Sequence, residues 1–81
     1  MEGLTEGRMV HYCLVNKSGD VVHRPAVVVR IWSQDTGGVN LQVFTDGGND
    51  GETYQGGLYW ATSVSFSEEP KAYTWHWIER A

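Results

Sequence analysis

The stretch His23-Arg24-Pro25-Ala26-Val27-Val28-Val29-Arg30-Ile31-Trp32-Ser33-Gln34-Asp35-Thr36-Gly37-Gly38-Val39-Asn40-Leu41-Gln42-Val43-Phe44-Thr45-Asp46 reads as two strands, Ala26 to Trp32 and Val39 to Asp46, joined by a hairpin-type loop. Valine and aromatic residues recur with period two on either side of a Ser-Gln-Asp-Thr-Gly-Gly break. Pro25 fits at the head of a strand, where no ladder donor is needed. Alternation places Val27, Val29 and Ile31 on one row and Val28, Arg30 and Trp32 on the other. In the next strand Val39, Leu41 and Val43 oppose Asn40, Gln42 and Phe44. The first row of each strand is the expected core.

The pattern continues outward in both directions. A strand from Arg8 to Val15 precedes the hairpin and ends at the turn Asn16-Lys17-Ser18-Gly19-Asp20. After Asp46 a glycine-rich loop breaks the chain. Leu58 to Phe66 forms a fourth strand, Ser67 to Lys71 a turn, and Tyr73 to Glu79 a fifth strand. No window of eleven or more residues carries apolar side chains at helical spacing. The reading is a single domain over residues 1–81, all-β. It is a five-stranded antiparallel small barrel, Src-homology-3-like or oligonucleotide-binding-like, in which closure removes free edges. Val10, Leu14, Leu58, Trp60, Val64 and one of Trp75 and Trp77 complete the expected core.

A chain of 81 residues buries a modest share of its surface and is marginal unless something staples it. Cys13 is the one cysteine, so no intrachain disulfide forms, and no Cys/His spacing of zinc type is present. A homo-oligomer is therefore expected to supply further burial. An unpaired Cys13 in an apolar run fits a reducing cytoplasm. The acidic start Met1 to Arg8 does not read as a secretory signal. The run Ala26 to Val29 is too short to span a bilayer, so no membrane association is expected. The net charge of −4 and six scattered basic residues argue against a grip on duplex nucleic acid.

Catalytic signatures are missing: there is no nucleophile elbow and no phosphate-binding glycine loop, so no enzyme is expected. The Asp46 to Gly51 loop has carboxylates at its first and fifth positions and glycine at the sixth. It lacks the third and twelfth ligands of a calcium loop. His11, His23 and His76 fall at no ligand spacing within one strand, so neither a metal nor a cofactor is expected. The remaining constellation is aromatic and basic: Arg24, Arg30, Trp32, Trp60, Trp75, His76 and Trp77. Flat rings stack on nucleobases and arginine forks meet phosphate. The same residue types also anchor protein interfaces.

Glu6 to Tyr12, His23 to Trp32, Val39 to Gly47 and Trp75-His76-Trp77 together resemble a group of short bacteriophage-encoded proteins of mostly unassigned function. The resemblance spans nearly the whole chain and transfers no functional residue. It implies a phage origin and action in the host cytoplasm or in the virion. With that origin, the aromatic and arginine set suggests a non-catalytic sponge that sequesters a cyclic nucleotide or ADP-ribose-type immune signal. The alternative is a virion structural protein, a capsid decoration or tail component, that works through protein contacts.

Overall fold

The computed structural model describes residues 1–79. Five strands, β1 (Met9–Val15), β2 (Val21–Ser33), β3 (Gly38–Phe44), β4 (Leu58–Phe66) and β5 (Thr74–His76), close into a barrel in the order β1-β2-β3-β4-β5. The only helical pieces described are two three-residue 3-10 turns, Gly47–Asn49 and Glu52–Tyr54. No helix among the described residues is long and apolar enough to cross a membrane. The small all-β barrel read from the strand spacing is the architecture observed.

One pairing departs from the antiparallel expectation. β5 runs antiparallel to β1 but parallel to β4, through Ser65↔Thr74 and Phe66↔Trp75. The segment after Phe66 loops out and returns beside the end of β4, where the Ser67 N–H donates to the Trp75 carbonyl at 2.9 Å. Tyr73, at φ 66°, turns the chain there, and its N–H donates to the Cys13 carbonyl at 2.7 Å. β5 is also shorter than the Tyr73 to Glu79 run suggested, and β2 longer, beginning at Val21.

The expected β2 row is inverted up to Val29 and holds beyond it, where Ile31 packs against the core and Arg30 and Trp32 are exposed. Ala26 and Val28 are buried, while Val29 is exposed and Val27 and Ile31 are half-buried. An all-valine run is apolar at both parities, so it carries no phase of its own. The phase comes from the partners: Ala26 lies opposite Val10 on one side and Val43 on the other. A register shift between Val28 and Arg30 then changes the alternation.

Leu58 and Trp60 are likewise outside, 54% and 48% exposed, where the core was expected. On β4 the inward residues are Ala61 and Val64, which differ in parity. A bulge between the pairs Val39↔Val64 and Leu41↔Ala61 allows this, with Ser63 at φ 52°. Asn40 anchors the bulge by accepting from the Ser63 N–H at 2.9 Å and the Trp32 indole N–H at 2.7 Å.

Val10, Tyr12, Leu14, Val39, Leu41 and Val43 fill the interior together with a completely buried Trp75. The Trp75 indole donates to the Gly37 carbonyl at 2.6 Å and meets Phe66 and Trp77 edge-on. The other end of the barrel is covered by the loop between β3 and β4. There Asp50, 2% exposed, takes both Arg24 Nε and Nη2, at 2.8 and 2.7 Å, and the Asp46 N–H at 2.7 Å.

Candidate metal centre

Barrel closure brings the histidines together. On β1 the side chains of Val10, Tyr12 and Leu14 point inward, so His11 lies on the outer face. His11 sits directly opposite His76 of β5, and His23 pairs with Cys13, one diagonal step from His11. Three adjacent strands thus each present one imidazole to the same outer patch. The ring centroids are 5.9 Å apart for His11 and His23, 5.7 Å for His11 and His76, and 4.7 Å for His23 and His76.

The chain leaving β5 folds back over the patch and adds a carboxylate. Glu79 lies 3.1 Å from both His11 Nδ1 and His23 Nδ1, and also hydrogen-bonds His76 Nε2. One donor atom from each of the four residues falls within 4.8 Å of all the others. In a tetrahedral zinc site with bonds of about 2.0–2.1 Å, neighbouring ligand atoms stand about 3.3 Å apart. The separations of 3.1 Å from Glu79 to His11 and His23 are hydrogen-bond lengths that differ from that spacing by only a few tenths of an ångström.

Local chemistry favours the ligating forms of His76 and Glu79, whereas His11 and His23 give up an Nδ1 proton when a metal binds. Burial holds the His76 pKa below its ordinary value, with His23 and His11 adding to the effect against the attraction of Glu79. His76 is thus biased to the neutral ring that a metal needs. Its Nδ1 faces Cys13 Sγ at 3.7 Å, and burial pushes the Cys13 thiol pKa up. With Nε2–H donated to Glu79 the thiol S–H faces a bare Nδ1; when a metal takes Nε2 the proton belongs on Nδ1 and the sulfur accepts it. Desolvation alone pushes the Glu79 carboxyl up, but the hydrogen bonds that His23 and His11 donate through Nδ1 outweigh it. Its pKa falls below the usual range. Three imidazole nitrogens and one carboxylate oxygen suit zinc and its borderline neighbours better than calcium or magnesium.

The aromatic and basic residues singled out from the sequence do not gather on one surface. Arg24 is held by buried Asp50, Trp75 is in the core, and Trp77 is half-buried beneath the Arg8 guanidinium, 5.1 Å from its ring centroid. His76 belongs to the histidine cluster. Arg30 lies 3.7 Å over the exposed Trp32 ring, and Trp60 is exposed on the outer face of β4. Glu79 is the partner that sequence reasoning did not consider; His11, His23 and His76 it weighed as a set and put aside for want of ligand spacing. Their signal was parity: His11 and His76 each fall on the outer row once β1 and β5 are paired. No protein-family model, curated protein or solved structure matches the chain.

Proposed function

We propose that this protein is a small metal-binding barrel that holds one divalent transition-metal ion, of zinc type, through His11, His23, His76 and Glu79. The observation that supports this reading is the convergence of those four donors within 4.8 Å on one outer patch. Metal bound there ties β1, β2 and β5 together and so staples the seam where the barrel closes. It is the staple that an 81-residue domain without disulfides needs. The role is one of binding, with no chemical turnover assigned. Isothermal titration of chelator-treated protein with Zn2+ is expected to give one ion per chain, with His11→Ala and Glu79→Ala weakening it. Saturation absent in the wild type, or unchanged in both variants, rules the site out.

A second reading rests on Arg30 stacked at 3.7 Å over exposed Trp32. In the phage setting that the sequence resemblance implies, this pair stacks on the base of a nucleotide-type signal and meets its phosphate. A thermal-shift panel of cyclic nucleotides and ADP-ribose derivatives tests it, with Arg30→Ala as the control. A flat panel removes it.

A further inference from the structure

The four donors are not equivalent. His11, His23 and His76 stand on paired strands, whereas Glu79 lies beyond β5 with no ladder to hold it. Its side chain is 47% exposed, against 6% for His76. A carboxylate so placed can leave a metal without disturbing the barrel, and three histidines remain. Three protein ligands plus one exchangeable position is the arrangement of metal sites that accept an external ligand.

Beside this position lies a cleft of about 330 Å3, within the size range of small-molecule sites. His76 and Glu79 form part of its wall, and Phe66, Pro70, Trp77 and Glu68 form the rest. The cleft therefore adjoins the metal position, sharing His76 and Glu79 with it. Phe66, Pro70 and Trp77 present flat apolar surface to an occupant. Glu68 adds a negative charge to the wall, which disfavours a dianionic occupant such as a phosphate ester.

Building on the metal centre, we infer that this cleft is a binding site for a small aromatic monocarboxylate. Its carboxylate takes the metal position of Glu79, and its ring lies against Trp77, Phe66 and Pro70. Carboxylate replaces carboxylate, so the charge on the metal is unchanged, and the ring gains apolar contact that acetate lacks. No bond is made or broken in the ligand.

The test uses protein loaded with Co2+, whose visible absorption reports its ligands, titrated with 3-phenylpropionate, acetate and phenyl phosphate. Expected is a saturable spectral change with 3-phenylpropionate, at about tenfold lower concentration than with acetate. Phenyl phosphate should bind more weakly than 3-phenylpropionate, and Glu68→Gln should narrow that difference. Trp77→Leu, which keeps apolar packing on Trp75, should erase the preference over acetate while cobalt still binds one per chain. A bound cobalt whose spectrum does not respond to 3-phenylpropionate overturns the inference and leaves the metal centre standing. An undiminished preference in Trp77→Leu also overturns it. A chain that takes up no cobalt fails at the earlier step, the metal centre itself.

Discussion

Replacing His23 with alanine separates a metal staple from a cluster of hydrogen-bonded side chains. His23 is the ligand of choice because its side chain is 30% exposed on the outer face, so its loss opens no cavity. His76 is a poor choice, being buried and in contact with Cys13. In the wild type, Zn2+ at about 100 times its dissociation constant adds about 2.7 kcal/mol of stability. In a domain of this size each kcal/mol moves the midpoint by about 4–8 °C, so zinc should raise it by about 10–20 °C over chelator. Outer-shell partners of a metal are worth up to about 100-fold in affinity, and a direct ligand is worth at least that. With a 100-fold weaker site at the same zinc concentration, the linkage leaves about 0.4 kcal/mol, or about 2–3 °C. The metal-free forms should differ by about 1 kcal/mol, for the lost hydrogen bond to Glu79 and ring contacts, and this difference cancels when the zinc-induced shifts are compared. Differential scanning calorimetry with zinc and with chelator reads all four values. A wild type that melts alike in both buffers refutes the staple, and so does a variant that keeps the full zinc shift.

Three further outcomes follow from the fold. Asp50→Ala leaves the Arg24 guanidinium and the Asp46 N–H without their acceptor and should cost about 3 kcal/mol in urea unfolding. The hydrogen bond from Arg24 holds the Asp50 carboxyl below its ordinary value despite burial. The pair's contribution is therefore complete above the unfolded value of about 3.9 and lost as pH falls through the folded one. The wild-type advantage over Asp50→Ala should be constant near neutrality and shrink below about pH 4. Gly37→Ala forces a side chain to φ 79° and sets its Cβ 3.0 Å from Phe66 Cβ and 3.1 Å from Trp75 Cζ2. A cost of about 2–5 kcal/mol is expected by the same assay, and less than 1 kcal/mol would contradict the packing described. Trp32→Ala removes a half-exposed ring and one hydrogen bond to Asn40. Its cost should stay near 1 kcal/mol, and a loss of 3–5 kcal/mol would assign Trp32 to the core instead.

The barrel was legible because its signals are local. Turn residues at Asn16–Asp20, Ser33–Gly38 and Ser67–Lys71 punctuate segments of period two, and β4 was bounded correctly at Leu58 and Phe66. Strand faces were legible only where polar residues break the symmetry. Asn40 and Gln42 give β3 a phase, and Val39, Leu41 and Val43 are indeed buried. Val27, Val28 and Val29 give β2 none, and its row was inverted there, while Arg30 and Trp32 beyond the register shift are outside as read. On β4 a bulge at Ser63 defeats any fixed alternation, which is how Trp60 and Leu58 came to be placed inside. Arg24 looked available for a ligand because nothing in its neighbourhood of sequence shows Asp50 folding back over 26 positions to meet it.

The histidine cluster was hidden for a related reason, and the reason bears on its role. Ligand spacing within one strand or helix is a local signal, but His11, His23 and His76 are separated by 12 and 53 positions and meet through the register of two strand pairs. The β1–β5 pair is made by closure of the barrel and by nothing nearer in sequence. It is also a slight pairing, with only two matched positions, and β5 holds β4 by two more. A ligand set built across this seam forms only when the seam is shut, so binding energy is delivered to the barrel's shortest strand pairings. Glu79 extends the same logic to the tail. Held by three imidazoles, it fixes the chain beyond β5 over the outer face; displaced by an external carboxylate, it frees that tail while the three strand-borne histidines keep the barrel closed.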